Sequence, residues 1–196
     1  MVRAESFVYV LLWWEVKAIF AFVFYGLCVA AFICSCAFDD NSNSKTVIDC
    51  PADITARAFR FSELYKDSDT IYEWGGQSPV RSAIAIDCSG LVIMCYKYAM
   101  VDTKYSLLLS DMAVGYIYEN AASIVPLEKM RQGDLIFMGE ANSQKVTHIA
   151  LFDCVKNDCL YFIDATEKDG INGVTRRFYE IDNAHFKAFG VMKIQY

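Results

Sequence analysis

Clusters of positive charge are missing from this chain. Its 196 residues include 18 Lys and Arg against 24 Asp and Glu, so the formal net charge is −6. A nucleic-acid surface needs grouped Lys and Arg to displace counterions from phosphates. We therefore expect no nucleic-acid partner.

Histidine is scarce as well, since the chain contains only His148 and His185. The eight cysteines include no two close pairs, and the two histidines are far apart in sequence. Structural zinc sites need such close pairs of ligands. We expect neither a metal nor a cofactor. Internal repeats and low-complexity tracts are absent too, and the length suits one domain with a short appendage.

The appendage is an apolar segment near the N-terminus. Residues 18–38 contain no charged residue over 21 positions, which is enough for a helix to cross a bilayer. Arg3 and Lys17 precede the segment, whereas Asp39 and Asp40 follow it. Positively charged residues keep their end of a membrane segment in the cytoplasm. We therefore expect the part of the chain after the segment to be exported.

The apolar segment has three interpretations: a permanent anchor, a cleaved signal peptide or a lipoprotein signal. The run Ile33–Cys36 resembles a bacterial lipobox, in which the small Ser35 would precede the lipidated Cys36. We favour the lipoprotein, although Cys34 is unusual at its place. Residues 1–38 are then the signal or anchor and 39–50 a flexible tether. Either way, we expect a membrane-anchored domain in the bacterial cell envelope.

The remaining residues, 51–196, predict helices first and a sheet second. Helices are expected from Pro51 and Asp53 to about Lys66, from Cys88 to about Met100, and from Leu107 to Asn120. Short apolar or alternating runs predict strands at Leu135–Met138, Thr147–Cys154, Leu160–Ala165 and Ala188–Ile194. This order is typical of an α+β fold with an antiparallel sheet.

Cys88 is the candidate nucleophile. It follows Asp87 at the start of an apolar helix, where unpaired N–H groups and the helix dipole favour a thiolate. The candidate base is His148, in the apolar and β-branched run Val146–Phe152 that marks the second of the predicted strands. A cysteine at a helix start and a histidine on a later strand are the layout of a papain-like hydrolase. A buried, inert Cys88 is the alternative, because free cysteines are often core residues.

A family resemblance supports the catalytic interpretation. The run YEWGGQSPVRSAIAIDCSGLV, Arg131–Phe137 and the pair Thr147 and His148 together resemble the NlpC-type bacterial cell-wall cysteine peptidases, over roughly Ala52 to Tyr196. The resemblance implies a papain-like fold. It also implies an endopeptidase that cuts peptidoglycan stem peptides between γ-D-glutamate and diaminopimelate, or lysine in its place.

The resemblance also implies a third group that orients His148. The family often has a second histidine there, and sometimes Asn or Gln. The matching position here is Asp164, in Phe162–Thr166. A carboxylate can hold an imidazole in the useful tautomer. Alternatively, Asp164 only caps a turn at the end of its strand.

Three further residues are implied to contact substrate. Tyr72 would direct its hydroxyl at the substrate or, with the Cys88 N–H, at the developing oxyanion; a half-buried structural Tyr is the alternative. Asp87 and Ser89 would line the pocket for the free amino end of the substrate. His185, in a polar turn, is expected at the surface with no catalytic part.

Cys154 and Cys159 flank a predicted hairpin end. With a two-residue loop at Lys156 and Asn157 they would face each other. A disulfide is possible in an exported protein, but two unpaired cysteines fit the sequence equally well.

Two rival functions remain at this stage. An amidase or acyl transferase would use the same Cys-His pair, because a fold does not determine the acyl acceptor. A non-catalytic wall-binding module is suggested by Asp164 and by Leu107–Ser110, which stands where the family usually has Pro-Arg-Thr-Ser. For any of these we expect a monomer that contacts the peptide stems of the wall.

Overall fold

The computed structural model describes residues 45–80, 84–168 and 170–196. The expected signal segment, its Cys36 lipidation site and the first part of the predicted tether lie outside these residues. Within them, no helix has the length and apolar character needed to cross a membrane.

The helices come early in the chain, as the hydrophobic pattern predicts. They are α1 (Ala52–Lys66), α2 (Cys88–Ala99) and α3 (Val114–Asn120), followed by a 3₁₀ turn at Leu127–Lys129. The first two are confirmed to within about a residue. Pro51 precedes α1, where its lack of an N–H costs no helical hydrogen bond.

Ten strands complete the described fold. They are β1 (Val47–Asp49), β2 (Thr70–Tyr72), β3 (Ile84–Ile86), β4 (Ser106–Leu107), β5 (Ala122–Val125), β6 (Leu135–Met138), β7 (His148–Lys156), β8 (Cys159–Thr166), β9 (Gly173–Glu180) and β10 (Phe186–Gln195). The main sheet has the order β1-β10-β6-β7-β8-β9, and β4 and β5 also pair with β10. Its pairs are antiparallel, while β2 and β3 form a separate parallel pair. The expected α+β architecture is confirmed.

The interior lies mainly between the helices and one face of the sheet. Ile149, Leu151, Ile163 and Ala165 of β7 and β8 belong to the same buried cluster as the apolar residues of α1 and α2. A smaller cluster around Phe162 packs separately. Successive strand residues point to opposite faces of a sheet, and each of the two clusters covers one face of β7 and β8. Because both faces are buried, the sequences of these two strands are nearly continuous apolar runs.

The predicted helix over Leu107–Asn120 is wrong in its first half. Leu107 belongs to β4 and pairs with Ile194 of β10, and helix begins only at Val114. Leu107 and Met112 are both buried in the core. Their apolar side chains suggested one face of a helix. Instead, Leu107 is buried as part of a strand and Met112 as part of a loop.

The predicted tether over 39–50 is too long at its C-terminal end. Val47 pairs with Gln195 in the sheet, and Thr46 exchanges two backbone hydrogen bonds with Tyr196. Cys50 is buried, and its N–H donates to the Met192 carbonyl. Because main-chain pairing holds β1, the strand needs no strong apolar pattern, and none is visible in sequence.

The β7-β8 hairpin turns one residue later than predicted. Asn157 and Asp158 both have positive φ, 52° and 57°, as two-residue hairpin loops of type I′ require. Cys159 therefore pairs with Lys156, whereas Cys154 pairs with Tyr161. The two cysteines do not face each other, and both thiols are free.

Candidate active site

The nucleophile position is built by the N-cap of α2. One oxygen of the Asp87 carboxylate, Oδ1, accepts hydrogen bonds from the Gly90 N–H at 2.6 Å and the Ser89 hydroxyl at 3.1 Å. The other, Oδ2, accepts from the Gly75 N–H at 2.9 Å. An N-cap of this kind satisfies a helix N–H that has no partner within the helix. Asp87 thus ties the preceding loop to the first helical turn, where Cys88 lies 6% exposed.

Close backbone packing explains the glycines around Cys88. The Asp87 N–H donates to the Gly76 carbonyl at 3.1 Å. A Cβ atom on Gly90 would lie 2.1 Å from that carbonyl oxygen, which is well inside van der Waals contact. Any side chain at Gly90 would therefore push the loop away from the nucleophile.

His148 is the first residue of β7, and a buried carboxylate holds its ring. The Nε2 atom lies 2.6 Å from Oδ2 of Asp164, and Asp164 is 0% exposed. Burial by itself lowers the pKa of His148, but interactions with Asp164 and Cys88 outweigh it and raise the pKa to about 9. Since Asp164 occupies Nε2, the Nδ1 atom is the one left for Cys88.

Asp164 has a second partner, Arg177 of β9. The Arg177 Nε donates to Oδ1 at 3.1 Å, and a terminal guanidinium nitrogen donates to Oδ2. No sequence pattern predicts this contact, because β9 was not predicted as a strand. That strand alternates between half-buried and exposed positions after Val174 and carries two arginines, so it lacks an apolar signal.

Tyr72 ends β2 close to the nucleophile. Burial, followed by the negative charges of Cys88 and Asp87, raises the pKa of Tyr72 to about 12. The hydroxyl therefore stays protonated at neutral pH and can donate a hydrogen bond. The Tyr72 N–H donates to the Asn172 side chain at 2.7 Å, a contact across 100 residues that sequence patterns do not reveal.

Two cavities adjoin the Cys-His pair. The larger, about 430 Å³, is lined by residues that include Tyr72, His148 and Arg177. The smaller, about 300 Å³, is lined by residues that include Cys88. Trp74 lines both and is 84% exposed, so its indole is open to a ligand as well as part of the loop.

The smaller cavity is lined by two carboxylates, those of Asp87 and Asp111. Asp87 and Ser89 line it as expected, but the Asp87 oxygens already accept three hydrogen bonds. Asp111, which the sequence analysis did not select, also lines this cavity and is exposed. Its Oδ1 accepts a hydrogen bond from the Gln77 amide at 2.5 Å. Asp111 is the more open of the two carboxylates.

His185 was expected at the surface with no catalytic part, and the structure places it closer to the site than its polar turn suggests. It is half-buried and lines the larger cavity. Its Nδ1 lies 2.8 Å from the Gly139 carbonyl oxygen, and its ring packs against Tyr179. The turn at 181–185 looks isolated in sequence. Phe186, which follows it, pairs with Met138 of β6, and Met138 pairs with His148 of β7, so the turn lies beside the strand ends that carry His148.

Within residues 45–80, 84–168 and 170–196, no three His, Cys, Asp or Glu side chains are grouped so that they could hold a metal ion. What the site does provide is a thiol, an imidazole and a carboxylate in series. Such a series can perform nucleophilic acyl transfer.

A family model described as NlpC/P60 matches residues 69–188. The chain belongs to the NlpC/P60 family. The match includes the loop with Tyr72, the Cys88 helix and the strands with His148 and Asp164. The family includes cell-wall hydrolases, and its members are generally cysteine peptidases or amidases that act on peptidoglycan. Comparison with curated protein sequences gives no match.

Several solved structures are similar to this chain, among them NlpC/P60 proteins. A lipoprotein-like member from Staphylococcus aureus is 22% identical over 81% of this chain and 46% of its own, with a TM-score of 0.49. NlpC2 from Trichomonas vaginalis is 18% identical over 75% and 48%, with a TM-score of 0.50. Ly7917, solved with the hydrolysis product of MDP, is 14% identical over 70% and 62%, with a TM-score of 0.48. This chain spans about half the length of the Staphylococcus aureus and Trichomonas vaginalis proteins.

Proposed function

We propose that this protein is a cysteine endopeptidase that hydrolyses peptidoglycan stem peptides, at the bond between γ-D-glutamate and diaminopimelate or lysine. The observation that carries the proposal is the series from Cys88 through His148 to the buried Asp164. Family membership supports the substrate class. The choice of bond comes from the resemblance of the sequence motifs.

The catalytic cycle uses groups already in place. The Cys88 thiolate attacks the scissile carbonyl, and the oxyanion that forms accepts hydrogen bonds from the Tyr72 hydroxyl and the Cys88 N–H. Protonated His148 gives its Nδ1 proton to the leaving amine as the C–N bond breaks, which leaves an acyl-enzyme. His148 then takes a proton from water, the hydroxide attacks the thioester, and the thiolate leaves.

The two cavities suggest how the substrate lies. The acyl half occupies the smaller cavity beside Cys88, where Asp111 and Asp87 offer negative charge to a free amino end. The leaving half occupies the larger cavity, since His148 must reach the leaving nitrogen. Ser89 contributes to the wall of the smaller cavity.

Export and tethering are part of the proposal. They rest on the uncharged segment 18–38, the charges that flank it and the lipobox-like Cys36. A domain held at the membrane would act on wall material close to that membrane, and as a monomer it needs no partner chain.

Mass spectrometry of defined muropeptides incubated with the purified protein tests the activity. We expect two fragments that account for cleavage after γ-D-glutamate, and none with Cys88→Ala. Adding a free amine distinguishes hydrolysis from transfer, because a transferase would incorporate the amine into the product. An intact muropeptide after prolonged incubation with protein whose Cys88 is reduced would contradict the proposal.

A further inference from the structure

We infer that Arg177 is a positioning residue for the catalytic histidine: it clamps the Asp164 carboxylate so that His148 presents Nδ1 to Cys88. The inference rests on the proposed function for the identity of the reaction. The geometry that carries it is independent of the substrate.

The contact between Arg177 and Asp164 is two-pronged. Nε donates to Oδ1 and a terminal nitrogen donates to Oδ2, so both carboxylate oxygens are held. Oδ2 also receives the His148 ring nitrogen. Asp164 is 0% exposed and the Arg177 side chain 12%, so water does little to screen this pair.

Arg177 is itself held in one position. Its guanidinium carbon lies 5.5 Å from the centre of the Phe162 ring and 5.6 Å from that of Tyr179. One terminal nitrogen donates to the Tyr179 hydroxyl at 3.1 Å. Two aromatic rings and a hydroxyl therefore restrict the side chain before it contacts Asp164.

The sheet register explains how the arginine reaches the carboxylate. Arg177 lies directly opposite Phe162 in the β8-β9 pair, and Asp164 lies opposite Thr175. Phe162 and Asp164 are two residues apart and so share a face of β8. The long Arg177 side chain spans this diagonal, which a shorter cation would not fill in the same way.

A fixed carboxylate matters because it selects the histidine tautomer. With Oδ2 held in place, Asp164 accepts from Nε2, and the proton exchanged with Cys88 belongs to Nδ1. A buried carboxylate also needs a compensating positive charge when His148 is neutral. Arginine provides it permanently, and its planar fork matches a carboxylate better than the point charge of lysine.

The test compares Arg177→Met and Arg177→Lys with the matched control Arg176→Met. Arg176 is the neighbouring residue on β9, but it pairs with Glu63 and Asp153 and lines neither of the two cavities. The first readout is the rate at which iodoacetamide alkylates Cys88, followed by mass spectrometry near neutral pH. The second is kcat and KM on a stem peptide. The third is the ¹⁵N spectrum of the two imidazoles.

We expect Arg177→Met to slow both alkylation and kcat by about tenfold to a hundredfold, since the clamp acts on the base. Arg177 also lines the larger cavity, so KM can change as well, but by a smaller factor than kcat. Arg177→Lys should fall between Arg177→Met and wild type, and Arg176→Met should match wild type. The His148 nitrogen signals should change in the Arg177 variants, whereas those of His185 should not.

Wild-type alkylation and kcat in folded Arg177→Met would overturn the inference. If Arg177→Met does not fold, Arg177→Lys decides: wild-type rates and unchanged His148 signals in that variant would overturn it too. If neither wild type nor any variant cleaves the peptide, but the alkylation rates follow the expected order, the proposed substrate is refuted and the clamp remains supported.

Discussion

The Nε2 atom of His148 lies 2.6 Å from a carboxylate oxygen of the fully buried Asp164. This contact leaves the other ring nitrogen for Cys88. The resemblance of the sequence motifs implies a second histidine at this position, and this chain has an aspartate there. The consequences of this pair can be measured directly.

Replacing Cys88 by Ser should abolish hydrolysis of a stem peptide, because a hydroxyl is a far weaker nucleophile than a thiolate. The fold should persist, since the exchange alters one atom. Turnover and thermal unfolding should be measured side by side. The control is Cys154→Ser, at an exposed residue of β7, which should behave as wild type. Near wild-type turnover in Cys88→Ser would exclude the mechanism.

Cys88 should be alkylated before Cys50 and Cys95 at neutral pH, although all three are buried. Burial raises the pKa of the Cys50 thiol to about 11 and that of Cys95 well above its usual range, so both stay protonated and inert. Timed iodoacetamide labelling with peptide mapping gives the order. Faster labelling of Cys50 or Cys95 would show that the nucleophile is misassigned.

Asp164→Asn should lower turnover by about 10²- to 10⁴-fold, because the amide preserves the shape of the contact but can hold the wrong tautomer of His148. Asp164→His should be milder than Asp164→Ala, and KM should change little in all three. Steady-state kinetics on one stem peptide would measure this. An Asp164→Ala variant as fast as wild type would mean that the orienting group is elsewhere or unnecessary.

Stability should depend on pH through His148. Its pKa is about 9 in the fold against 6.5 for a free histidine, so the folded state binds the proton more tightly. The resulting stabilisation is fully present below about pH 6.5 and is lost as pH rises through about 9. Denaturant unfolding across this window should show the loss in wild type and in His185→Gln. His148→Gln should lack it, and an unchanged slope in that variant would contradict the raised pKa.

Lipidation should depend on Cys36 and not on Cys34. Only Cys36 directly follows the small residue Ser35. Metabolic labelling with a palmitate analogue should therefore lose its signal in Cys36→Ala and keep it in Cys34→Ala. Unlabelled wild-type protein of full length would favour a permanent helix at residues 18–38.

Local patterns in the sequence were sufficient to predict helices α1 and α2, strands β6, β7, β8 and β10, and the α+β architecture. Each of these elements carries its own apolar periodicity or a short apolar run. The positions of Cys88 at a helix start and His148 at a strand start are local in the same sense. Asp164 was not predicted from a local pattern: the resemblance to the family implied that this position orients His148.

Tertiary structure alone decided the rest of the site. Arg177 lies on β9, which shows no apolar pattern, and its place follows from the register with β8. Asp111 and His185 reach the two cavities through a loop and a turn without periodicity. Backbone hydrogen bonds and long-range pairing place these residues. Such interactions depend on residues distant in sequence, so the local pattern of side chains does not encode them.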